Sequence, residues 1–118
     1  MHELSIADSI VRIAESHAQG RKVMRVDVVV GHLRQVVPSA LSFNFELVAA
    51  GTPVAGAELV VDARPARVEC GRCGTETEVD GFPFACGACG GFDVRIVQGE
   101  ELFVESIELE DSEEADDA

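Results

Sequence analysis

The spacing of four cysteines constrains this chain more than any other feature. Cys70 and Cys73 form one C-x2-C pair, Cys86 and Cys89 form a second, and twelve residues separate the pairs. Two intervening residues let both sulfurs of a pair reach one ion from a single tight turn. A second such turn completes a tetrahedron. Gly74 and Gly90 follow the pairs; glycine accepts positive φ and lets backbone N–H groups approach the sulfurs. Four thiolates in a closed tetrahedron suit Zn(II) in a structural role, with no position left open for catalysis. A rubredoxin-like iron site shares the same knuckles and is the rival ion. Two disulfides are the remaining alternative, and they fit poorly with a protein expected in the cytosol.

The segments around this block read as α+β. Leu4, Ala7, Val11, Ala14 and Ala18 recur at steps of three and four, with Ile6, Ile10, Ile13 and His17 in an adjacent row. This pattern predicts an amphipathic helix from Leu4 to Gln19, stopped by Gly20. Lys22–Gly31 reads as a strand with Met24, Val26, Val28 and Val30 on one face. Pro38 opens a second helix, with Leu41, Phe45, Val48 and Ala49 as its apolar face. Ala57–Arg64 reads as a strand with Leu59, Val61 and Ala63 to one side, Asp93–Val97 as a short strand, and Glu101–Leu109 as a last main strand. The stretch "CGRCGTETEVDGFPFACGACGG" carries no long apolar run and is expected as an insertion, tied in by the connections Arg64–Glu69 and Val97–Glu101. The expected division is residues 1–67, completed by 98–110, with an inserted module at 68–97 and an acidic tail at 111–118.

Charge narrows the function. The formal net charge is -13, and seven of the 22 acidic residues lie from Glu108 onward. That run reads as a solvated, disordered tail. The body keeps 15 acids against 9 Lys+Arg, the wrong sign for binding nucleic acid. No run approaches the roughly 20 apolar residues of a membrane span. No basic segment leads into an apolar one near the start, so no secretory leader is expected. No nucleophile–base motif, phosphate loop or open catalytic metal site is visible, which points away from an enzyme.

The first residues, "MHELSIADSIV", set up a second site. The Met1 α-amine, the His2 amide nitrogen and the His2 imidazole are consecutive donors. They close a five-membered and a six-membered chelate ring, a planar nitrogen-rich set that Ni(II) or Cu(II) prefers. Glu3 adds an amide nitrogen or a carboxylate oxygen. The plain alternative is a histidine at position 2 with no task. His17 reads as a residue for packing or for complementing the helix dipole, and His32 as a turn residue.

Taken together, "MHELSIADSIV", "VVVGHLRQVVPSALSFNFELVAAGTPVAGAELVV", "CGRCG…CGACGG" and the closing strand resemble the HypA/HybF nickel metallochaperones, from Met1 to about Leu109. The resemblance implies two helices packed on a three-stranded sheet, with a zinc-ribbon-like four-cysteine domain inserted before the last strand. It assigns transported Ni(II) to Met1, His2 and Glu3, and structural Zn(II) to Cys70, Cys73, Cys86 and Cys89. The partners it implies are a HypB-type GTPase and the large subunit of [NiFe]-hydrogenase, with urease as a second client, in the cytoplasm, as a monomer or homodimer. The competing class is a zinc-ribbon protein-interaction module without nickel delivery. Two departures stand out: Gly31-His32-Leu33 replaces the family's usual Gly-Glu-Leu, and no histidine flanks the cysteine pairs.

Overall fold

The structure is a computed structural model and describes residues 2–111. Met1 and the acidic run beyond Asp111 lie outside the described residues. Two helices and two three-stranded sheets make an α+β fold. The order is α1 (Glu3–Ala18), β1 (Val23–Gly31), a single 3₁₀ turn (His32–Arg34), α2 (Pro38–Ala49), β2 (Glu58–Arg64), β3 (Ala66–Cys70), β4 (Glu76–Val79), β5 (Val94–Gln98) and β6 (Leu102–Leu109). One sheet has the order β2-β1-β6 and the other β4-β3-β5. The chain separates into two compact units. One takes residues up to Val28, Val36–Val61 and the segment from Phe103 onward; the other takes Val29–Gln35 and Asp62–Leu102.

In the first unit α1 packs against α2. Ala7, Ile10, Val11, Ala14 and Ala18 are buried on α1, and Leu41, Phe45 and Ala49 on α2. Val23, Val26 and Val28 of β1 and Val54 are also buried. Each contributes by leaving water, at roughly 25 cal/mol per Å² of apolar surface. The expected stripe on α1 is broader than the buried one. Leu4 and Ile13 lie at its margins and are 59% and 42% exposed. Val48 is only half-buried, and Phe43 and Leu47 on the outer face of α2 are exposed. The simple alternation expected for β1 also fails at both ends. Met24 is exposed, while Val28, Val29 and Val30 are buried in succession. In β2, Ala63 is exposed rather than inward.

The second unit is built on β3. Its segment Ala66–Glu69, expected to be part of a connection, is instead the central strand of the β4-β3-β5 sheet. Here strand pairing overrides a sequence with few apolar residues: Ala66, Val68 and Cys70 are buried and alternate with half-buried Arg67 and Glu69. β4 was likewise not expected. Its residues Glu76–Val79 face Glu69–Ala66 in antiparallel register. On the other side Val68 faces Ile96, Glu69 faces Arg95 and Cys70 faces Val94, with a bulge between Arg67 and Val68. Cross-strand ion pairs supply what the apolar pattern lacks. Arg67 Nε lies 3.3 Å from Glu76 Oε1, and Arg95 pairs with Glu69.

The 3₁₀ turn is stitched into this same unit. The Leu33 N–H donates to the Gly99 carbonyl at 2.8 Å, and the Arg34 Nε–H donates to the Glu100 carbonyl at 2.8 Å. The backbones meet closely at Gly31. A Cβ there would lie 2.1 Å from the carbonyl carbon and oxygen of Gly99, a distance no side chain tolerates. Gly31→Ala is therefore expected to destabilise by about 2 kcal/mol or more, as overpacking against backbone does. Gly81, where a Cβ meets nothing within 4 Å, is the control, expected within about 0.5 kcal/mol of the parent on substitution by alanine. Denaturant melts followed by circular dichroism check both, since the chain has no Trp or Tyr for fluorescence.

Candidate metal centre

The four cysteines converge. The sulfurs of Cys70, Cys73, Cys86 and Cys89 all lie within 4.8 Å of one another. Cys73 Sγ is 3.5 Å from Cys86 Sγ, and Cys70 Sγ is 3.8 Å from Cys89 Sγ. A tetrahedron with metal–sulfur bonds of about 2.3 Å has sulfur–sulfur edges of roughly 3.8 Å. The donor set therefore fits a tetrahedral ion of that size, and all four cysteines are free.

Two like turns build the cluster. Cys70 ends β3, and the Gly74 N–H donates to the Cys70 carbonyl at 2.9 Å. The second turn repeats this with the Gly90 N–H and the Cys86 carbonyl, also at 2.9 Å. Gly74 and Gly90 have φ of 76° and 73°, the left-handed conformation that glycine adopts without a Cβ penalty. The turns aim backbone donors at sulfur. The Arg72 and Cys73 N–H groups point at Cys70 Sγ at 3.4 and 3.5 Å. The Ala88 and Cys89 N–H groups point at Cys86 Sγ at 3.3 and 3.4 Å. Cys70 and Cys86 are buried, whereas Cys73 and Cys89 are exposed.

These donors separate the thiols electrostatically. Hydrogen bonds from the Thr75 hydroxyl and then the Thr75 N–H pull Cys73 down to about 6. The Cys89 and Ala88 N–H groups lower Cys86. Cys89 goes the other way. The Gly91 N–H favours its thiolate, but the neighbouring sulfurs of Cys70 and Cys86 outweigh that and raise it to about 11. Four sulfurs this close cannot all ionise together unless a cation joins them.

Thr75 and Thr77 are the supporting residues that the cysteine spacing did not reveal. Thr77 Oγ1 accepts the Gly87 N–H at 2.9 Å and so ties β4 to the second turn. Their only sequence trace is the alternation of threonine with acid in "TETE" after the first knuckle.

The amino-terminal residues are placed differently. His2 is exposed and is the N-cap of α1. Its carbonyl accepts the Ile6 N–H at 3.0 Å and the Ser5 hydroxyl at 3.1 Å. It opens on a concavity of about 620 Å³ that Leu4, Ser5, Asp8 and Val48 also line. Glu3 is buried, the only charged residue so placed among the described residues. Its Oε2 accepts the Val37 N–H at 2.9 Å. The charged amino terminus, then the Val37 N–H, hold its carboxyl down to about 2. Met1 is outside the described residues. His17 is exposed, with its Nδ1–H donating to the Ile13 carbonyl at 2.9 Å. It closes the last turn of α1 and does not pack in the core. His32 stands in the 3₁₀ turn, and its Nε2–H donates to the Asp80 carbonyl at 2.9 Å.

Residues 1–109 match the family model described as hydrogenase/urease nickel incorporation, metallochaperone, hypA. The chain belongs to the HypA family. It is 46% identical over 110 residues to hydrogenase maturation factor HypA of Geobacter sulfurreducens, covering 93% of this chain and all of that protein. It is 42% identical over 113 residues to the factor of the same name from Chlorobaculum tepidum, again covering 93% of this chain and all of the relative. The solution structure of the nickel metallochaperone HypA from Helicobacter pylori superposes with a TM-score of 0.66 at 26% identity, covering 95% of this chain and all of that one. A HypA-family protein is a maturation factor and metallochaperone, not a catalyst. No helix among the described residues is long and apolar enough to cross a membrane.

The two exposed thiols are expected to react very differently once metal is stripped. At pH 7 Cys73 is above its pKa of about 6 and is a thiolate, while Cys89, raised to about 11, remains a thiol. Thiolates alkylate and thiols do not. Peptide mapping after a brief iodoacetamide pulse should find Cys73 labelled first, with the lead shrinking as the pH falls through about 6. Equal labelling of Cys73 and Cys89 at pH 7 would contradict this assignment.

Proposed function

We propose that this HypA-family protein carries Ni(II) on its amino terminus and delivers it for maturation of [NiFe]-hydrogenase in the cytoplasm, with urease as a second client. The observation that carries this reading is the family match over residues 1–109, which includes the Met-His-Glu start. The Met1 amine, the His2 amide nitrogen and the His2 imidazole are the chelating donors, joined by the Glu3 amide nitrogen. Two features of the chain support the assignment. The first N–H groups of a helix have no intrahelical acceptor, and the first intrahelical bond of α1 is Ile6 N–H to the His2 carbonyl. The His2 amide can therefore ionise onto a metal without breaking the helix. In addition, the His2 side chain is exposed at the mouth of a concavity, within reach of a recipient.

Nickel here is cargo. Few protein ligands on a chain terminus favour transfer by stepwise ligand exchange. Affinity alone ranks Cu(II) above Ni(II), so the choice of metal rests on geometry and on docking to partners. The partners of this reading are a HypB-type GTPase and the hydrogenase large subunit.

Zn(II) is the ion we assign to Cys70, Cys73, Cys86 and Cys89. Four thiolates, a closed tetrahedron and N–H donors to each of the sulfurs suit a structural ion with no exchangeable position. When bound, zinc supplies the cation that lets all four sulfurs ionise. In this reading residues 68–97 are the inserted zinc-binding domain. Residues 1–67 with 98–110 form the nickel-binding domain.

Native mass spectrometry of the protein without any N-terminal tag tests the carrier function. One zinc should be retained by both the parent and His2→Ala, and one added nickel by the parent alone. Uptake should weaken from about pH 7.5 to about 5.5, because protons compete for the amine and imidazole. Equal nickel uptake by both proteins would move the site away from the amino terminus.

A further inference from the structure

Glu3 comes at the start of α1, yet its carboxylate serves a different helix. Val37 is the N-cap of α2 and has no polar side chain, and Pro38 at the first helical position has no N–H. In a capping box, a glutamate three residues into a helix reaches back to the N–H of that helix's own N-cap. Here the same donor, the Val37 N–H, is met by Glu3 Oε2 at 2.9 Å from 34 residues away. Asn44 Nδ2 bonds the Ala40 carbonyl, and no acidic residue lies in the first turn of α2. The anion that complements this helix start is therefore Glu3, supplied from the chain's third position. Glu3 is also buried, so this bond is made away from bulk water, where it is stronger.

We propose that the Glu3 carboxylate is a positioning group for the nickel site and not a nickel ligand. It pins the first turn of α1 to the start of α2 and so fixes the backbone from which the neighbouring nitrogen donors project. This rests on the reading that nickel binds at the amino terminus. It gives Glu3 a task that its place beside His2 would otherwise suggest is direct coordination.

The test compares nickel affinity, by competition with a chromophoric chelator, for five untagged proteins: the parent, Glu3→Gln, Glu3→Ala, Val37→Pro and His2→Ala. Glutamine keeps an oxygen that accepts the Val37 N–H but is a poor anionic ligand. Proline at 37 removes the donor and leaves Glu3 untouched. Glu3→Gln is expected within about threefold of the parent. Glu3→Ala and Val37→Pro are expected to bind about tenfold more weakly or worse, the scale of a lost hydrogen bond to a charged group. Amide hydrogen exchange at Val37 should accelerate in Glu3→Ala and stay slow in Glu3→Gln. That comparison decides the matter even if the proline variant does not fold. Loss of affinity in both Glu3 variants with none in Val37→Pro would make the carboxylate a ligand and overturn the proposal. Parent-like affinity in Glu3→Ala would overturn it too. Full affinity in His2→Ala would instead bring down the amino-terminal nickel site itself.

Discussion

Four sulfurs held within 4.8 Å of one another are the constraint on which the second unit depends. Neutral thiols would gain little from such crowding, and four thiolates would repel. The arrangement makes sense only around a cation. What surrounds it follows from that need. β3 ends at Cys70 and delivers the first sulfur, β5 pairs along β3 to hold that end, and the two glycine-closed turns aim N–H groups at Cys70 and Cys86. With so few apolar residues in the segment, a bound ion would supply cohesion that a small core cannot. Structural zinc can contribute on the order of 10–16 kcal/mol to a short peptide.

The amino-terminal unit is organised on the opposite principle. Its cohesion is an aliphatic core shared by α1, α2 and β1. Glu3, the one buried charge among the described residues, is placed where a helix start lacks an anion. A rigid start to α1 beside an exposed His2 suits a carrier.

The elements with strong periodicity were legible from the residues. Both helices, β1 and the last strand follow the predicted spans to within a residue or two. The C-x2-C spacing likewise foretold the sulfur cluster and the positive φ of Gly74 and Gly90. β3 and β4 were not read as strands. "ARVEC" does alternate apolar and polar residues, but it is only 5 residues long and runs straight into the first cysteine pair, and "ETEV" holds a single apolar residue; their pairing is set across strands. The link from Glu3 to Val37 was hidden for a similar reason: it joins residues 34 apart. His32 is a related case. Its imidazole read as a turn feature, and only the fold shows it bonded to the Asp80 carbonyl.

The central claim is a division of labour: sulfur holds the resident ion, and amino-terminal nitrogen holds the transported one. X-ray absorption at the zinc and nickel edges of one doubly loaded, untagged sample tests it most directly. The account predicts zinc surrounded by four sulfurs at about 2.3 Å and nickel surrounded by nitrogen and oxygen alone. Sulfur in the nickel shell, or nitrogen in the zinc shell, would contradict it.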